Sequence, residues 1–213
     1  MSDTADWLEK WLEPNISAEA YLFVEMLEPG ERRVKVLRAA FEEVKDQGQD
    51  AIDYFIDEGA PAEAFLVQVS DVCLVAMYHW VERTAKTRLV SKLRKARKAS
   101  SDVGRLNFDG LVKGLDREGV AVRQLPGLEA IDILRMFANS WKHEPDAPDE
   151  SFCGVLGLSP GRRGGGHLAD DDLRTAMFAR LGGARMTVAP DAPDVVRSYA
   201  KVAADFLEAL LRA

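Results

Sequence analysis

Cysteine is nearly absent from this sequence of 213 residues: Cys73 and Cys153 are the only two. They stand far apart with no CxxC spacing, so a disulfide framework and a thiolate metal site are both poor readings, and both side chains are expected to be buried free thiols. Histidine is as scarce. His79, His143 and His167 show no HExxH or comparable ligand spacing, and no metal or other cofactor is expected. Neither a GxSxG nucleophile turn nor a GxxxxGK[ST] phosphate loop is present. The first residues, Met-Ser-Asp-Thr-Ala-Asp, lack the basic and apolar parts of a signal peptide, which suggests a cytoplasmic protein.

Positive charge is also in deficit. Net charge is -7 and the pI about 5.1, which argues against a protein that coats nucleic acid indiscriminately and leaves room only for a local basic patch. The one long apolar run, residues 65–81, contains Gln68, Ser70, Asp71 and His79. A carboxylate at mid-bilayer would cost roughly 2.5–3.5 kcal/mol, so the run reads as the central helix of a bundle, with no membrane partner.

What is abundant is apolar residues at helical spacing. At 47% hydrophobic and 30% charged, the chain can bury a sizeable core. Ser17 is a candidate N-cap for a helix over 18–27, which Pro29-Gly30 would break. Val36, Ala39, Ala40, Val44, Ile52, Phe55 and Ile56 predict helix across 32–58, with Gly48 as a kink or division. Gly59-Ala60-Pro61 reads as a turn, and Pro61 then opens the longest helix, 62 to about 98. A short helix is expected over 108–117, a brief extended piece at 120–122, a helix over 128–143 ended by Pro145, another at 170–181, and a last one from Pro193. Residues 185–188 read as extended. The expected fold is all-α: one domain over 1–213, an antiparallel four- to five-helix bundle with an irregular insertion near 145–190.

Three groups of side chains could carry chemistry. Arg135, Asn139, Lys142 and His143 lie at i, i+4, i+7 and i+8 on one broad helix face, opposite Leu134, Phe137 and Trp141. A guanidinium, an amide, an ammonium and an imidazole together suit an anion, such as a phosphodiester. The plainer account is a helix C-terminus whose dipole is complemented by cations. In the second group, Tyr78, His79, Glu82 and Arg83 sit in the most apolar helix, where polar groups need partners. Glu82 and Arg83 either meet Arg135 across the bundle or form an internal ion pair beside a satisfied histidine. The third group is Arg83, Lys86, Arg88, Lys92, Arg94, Lys95, Arg97 and Lys98, eight cations with no acid between them. Either they track a phosphate backbone, with Lys92, Arg94, Lys95, Arg97 and Lys98 as the RNA-facing set, or they are a solvated helix end. The glycine-rich stretch 161–166, with Arg162 and Arg163, reads as a mobile loop whose arginines could touch a ligand.

Three segments together resemble a HEPN-type helical domain: YHWVERTAKTRL at 78–89, LRMFANSWKHEP at 134–145, and DVVRSYAKVAADFLEALL at 194–211. The resemblance spans most of 60–145 plus 190–212. Its sharpest piece is Arg135-x3-Asn139-x2-Lys142-His143. It implies an all-α bundle, homodimeric, acting as a metal-independent endoribonuclease in toxin–antitoxin or phage-defence systems, with RNA and an antitoxin or regulatory protein as partners. Attack by the RNA 2′-OH on the adjacent phosphate would be assisted by His143 as acid/base and by Arg135 and Lys142 on the phosphate, oriented by Asn139. The family Arg is expected four to six residues before the His, but Ala138 occupies that place here. Arg135 stands eight residues before His143, about 12 Å along the axis, and leans away from it. Three outcomes stay open: a partner helix completes the site, Lys142 substitutes, or catalysis is lost. In the last case the chain would be a non-catalytic module binding RNA, a nucleotide or a protein.

Overall fold

The computed structural model describes residues 15–48, 53, 55–143, 150–158, 168, 170–181 and 189–213, and the backbone alone for Gln47, Phe55 and His143. Within these residues the chain is an all-α bundle. Its helices are α1 (Ile16–Glu25), α2 (Glu28–Val44), α3 (Ala60–Lys95), α4 (Phe108–Arg117), α5 (Leu128–His143), α6 (Glu150–Leu156), α7 (Asp171–Ala179) and α8 (Ala192–Arg212).

The 36-residue α3 is the axis. It packs against α8, α5, α2 and α4, and α8 in turn carries α1. Its inner face holds Leu66, Cys73, Leu74, Met77, Trp80, Val81, Ala85 and Leu89, all buried. The apolar run that could pass for a membrane span by length and composition is therefore half-covered by other helices. Asp71, near its middle, is fully buried and accepts the Leu168 N–H at 2.8 Å. α1 lies antiparallel to α3, since Glu19 meets Trp80 at 2.6 Å and the Phe23 carbonyl faces Cys73. It is also antiparallel to α8, where Ser17 bonds Glu208. α3 and α8 run in the same direction, with Leu66 and Pro193 lining one cleft at one end and Lys92 bonded to the Ala213 carbonyl at the other.

Local chemistry explains most boundaries. Asn107 caps α4 by accepting the Gly110 N–H, and Asp170 caps α7 through the amides of Asp172 and Leu173. Pro29, Pro61 and Pro193 each sit in a first turn, where no amide is needed. Gly127 has φ +84°, and a Cβ there would lie 2.9 Å from Val202. Only glycine lets the chain enter α5 this close to α8.

Several expectations need correction. Ser17 lies inside α1, not at its cap, because the helix already starts at Ile16. Pro29-Gly30 ends nothing by itself: the break is at Met26-Leu27, and both residues fall in the first turn of α2. The helix expected over 32–58 stops at Val44, passes through a 3-10 turn at Lys45–Gln47, and resumes as a π-type turn at Phe55–Gly59 that runs straight into α3. Residues 120–122 are not extended; they lead into the 3-10 turn Val122–Gln124. The region near 145–190 contains α6, which pattern reading missed, and the expected α7. Residues 185–188 and 161–167 lie outside the described residues. Both cysteines are buried free thiols, and burial pushes the Cys73 thiol up to about 11, keeping it unreactive.

Candidate functional site

α5 buries Ala130, Ile131, Ile133, Leu134, Phe137 and Ala138 against the bundle. Its opposite edge carries Asp132 and Arg135, half-buried, then Asn139 and Lys142, exposed. The predicted shared face is therefore real as far as Lys142. His143 closes the helix, but its side chain lies outside the described residues, as do His167, Arg162 and Arg163.

Arg135 is not a free guanidinium. Its Nε donates to Asp132 Oδ1 at 2.8 Å, one turn back on the same helix. Ala138, where the family pattern expects arginine, is buried, so a guanidinium at that position would have to be desolvated.

Across from Arg135 stands Tyr78, buried on α3 with its ring edge-on to Phe108. Burial, seconded by Glu82, pushes its phenol up to about 12; Arg135 opposes this, while Asp132 and Asp109 reinforce it. The Tyr78–Phe108 ring contact joins α3 to α4, and Phe108, Asp109 and Asp132 line one cleft between α4 and α5, so Tyr78 lies near the junction of the three helices, within the field of these charges. Glu82 is further tied to Lys86 at 3.1 Å and faces His79 at 3.7 Å. His79 is exposed, its ring against Tyr78. Arg83 is exposed and Glu82 half-buried, and the contacts of Glu82 are to Lys86 and His79 of its own helix. Beside this cluster opens a cleft of about 480 Å³, whose rim, among the described residues, carries Asp109, Glu129 and Asp132 against the cation Arg123. A rim of this sign repels phosphate.

The basic stretch at the end of α3 does not form one surface. Arg88 is buried, Lys86 is engaged by Glu82, Lys98 pairs with Glu118 at 2.7 Å, and Lys92 is half-buried. Arg94, Lys95 and Arg97 are exposed. Tyr78 and Lys95 are seventeen residues apart on one helix, about 25 Å, so these cations do not converge on Arg135. Asp132 and Asp109 were missed by sequence reading. The first had a signal, its i,i+3 spacing to Arg135; the second had none, because α4 reaches the site only through the fold.

The Tyr78 phenol gives a pH test. Below pH 10 both folded and unfolded chains hold its proton. Between 10 and about 12 the unfolded chain loses it first, so folding stability falls as pH rises through that window. Tyr78→Phe should flatten this alkaline loss in urea melts at stepped pH. An unchanged profile would show that the phenol ionises normally.

Comparison with protein-family models, curated proteins and solved structures finds no match to the chain.

Proposed function

We propose that the chain is a non-catalytic, cytoplasmic HEPN-like module that binds RNA along the outer edge of α5 through Asn139, Lys142 and the helix end at His143. The observation that carries this reading is the Arg135–Asp132 pair. A guanidinium held by a neighbouring carboxylate, in surroundings richer in acids than cations, is a poor stabiliser of charge developing on phosphorus. The exposed Asn139 and Lys142 remain available for backbone contacts. Ribonuclease activity is the second reading, favoured by one detail: only Nε of Arg135 is engaged by Asp132, so its terminal nitrogens could still meet a phosphate supplied with a second copy.

The test is single-stranded RNA in EDTA, read by anisotropy and on denaturing gels. Binding without cleavage is expected. Lys142→Glu should weaken it about tenfold and flatten its salt dependence. Metal-independent products with cyclic-phosphate ends, lost in His143→Ala, would replace this reading with the nuclease. Absence of RNA binding at low salt would end both.

A further inference from the structure

The cleft of about 480 Å³ between α4 and α5 is a place the RNA reading does not use. Its volume falls within the roughly 300–1,000 Å³ of small-molecule pockets. The floor is apolar: Phe108 and Val112 of α4, Leu128 of α5, and Leu125 from the connection between them. The rim is charged, and its charges are unequally answered. Arg123 is drawn toward Asp116 at 3.6 Å. Glu129, largely exposed, meets Arg180 at 3.3 Å. Asp132 gives Oδ1 to Arg135 and keeps Oδ2 open. Asp109 makes no hydrogen bond or ion pair through its side chain among the described residues. One carboxylate from each helix therefore lines the cleft with an open acceptor oxygen.

A second feature points the same way. Tyr78 is only 5% exposed, and its hydroxyl has no hydrogen-bond partner among the described residues, whereas buried phenols usually find one. Its ring packs on Phe108, a residue of the cleft floor, within the field of Asp109 and Asp132. The sign of the rim selects a cation and excludes a carboxylate or phosphate. No group of three or more metal-ligating side chains gathers among the described residues, and an apolar floor offers a metal ion nothing. An organic cation uses both parts, since its body covers the floor and its charge meets the rim. We propose that this cleft binds a small primary ammonium on an apolar body, the ammonium between Asp109 and Asp132 and the body on Phe108, Val112 and Leu128. This stands independently of the RNA reading, which uses the outer edge of α5.

The probes are phenethylamine, its uncharged counterpart phenethyl alcohol, and phenylacetate. Each is titrated into the full-length chain, isotope-labelled at its valine and leucine methyls, and followed by NMR. Phenethylamine should shift the Val112, Leu125 and Leu128 methyls, with half-saturation at or below roughly 1 mM. Phenethyl alcohol should bind about tenfold more weakly, and phenylacetate should leave these methyls unmoved. Asp109→Asn should weaken the amine alone and narrow its advantage over the alcohol. Added salt should likewise weaken the amine and spare the alcohol. Equal binding of amine and alcohol overturns the proposal, as do methyl shifts that fail to saturate or lie outside the cleft. The buried Leu111 and Leu115 report whether α4 stays in place. If Asp109→Asn displaces them, the salt comparison in the native chain decides, and an amine affinity indifferent to salt overturns the proposal.

Discussion

Replacing Phe137 by alanine is expected to lower the unfolding free energy by about 3–5 kcal/mol, a fall of roughly 6–20 °C in Tm for a chain of this size. Phe137 is fully buried, and its ring meets Phe152 of α6 edge-on at 6.4 Å. Removing it opens a cavity at the junction of α5 and α6. Few neighbouring groups can move to fill the hole, because Leu134, Ile133 and Cys153 are themselves buried. Phe137→Leu keeps most of the volume and should cost less than half as much. Urea melts decide the matter: the midpoint should drop with an unchanged slope. A loss under about 1 kcal/mol would mean that α6 is not docked on α5 as described. The result also bears on function, since Arg135 and Asn139 flank Phe137 and depend on the same helix being held against the bundle.

Sequence pattern located the helices that carry a strong apolar stripe. α5 was bounded correctly from Leu128 to His143 and α4 from Phe108 to Arg117, and α8 begins at Ala192, one residue before the expected Pro193. The failures share a cause: the deciding interaction was distant in sequence. Glu150–Leu156 is too short for periodicity to register and is helical because Phe152 and Leu156 have a core to enter. Pro29-Gly30 looked like a stop, but Gly30 is where α2 crosses Leu66 closely, and the helix proceeds through it. The candidate site divides the same way. The shared edge of Arg135, Asn139 and Lys142 follows from helical geometry alone. The Arg135–Asp132 pair follows from i,i+3 spacing on one helix, whereas the approach of Tyr78 and Asp109 depends on how α3, α4 and α5 pack. The basic stretch divides for a related reason: a run of like charge in sequence wraps around a helix, so Arg88 ends inside while Arg94 and Lys95 end outside.

Asp71→Ala is the second substitution expected to have a large effect, about 2–3 kcal/mol of destabilisation. A carboxylate fully buried in the middle of the most apolar helix is tolerable only if its charge is hydrogen-bonded. One of its bonds is the 2.8 Å acceptance of the Leu168 N–H, 97 residues away in sequence. Leu168 is itself fully buried, so alanine would strand that amide where water cannot readily replace the oxygen. Asp71→Asn retains an acceptor oxygen and should cost roughly 1 kcal/mol. Amide exchange separates this from a loss of packing: Leu168 should exchange much faster in Asp71→Ala than in Asp71→Asn, while amides in the interior of α3 keep their protection. Equal exchange at Leu168 in the two variants would show that the carboxylate does not anchor this segment. The same residue explains why an apolar run of this length belongs inside the bundle. Asp71 has a partner there, and in lipid it would lose the Leu168 amide and cost roughly 2.5–3.5 kcal/mol at the bilayer centre.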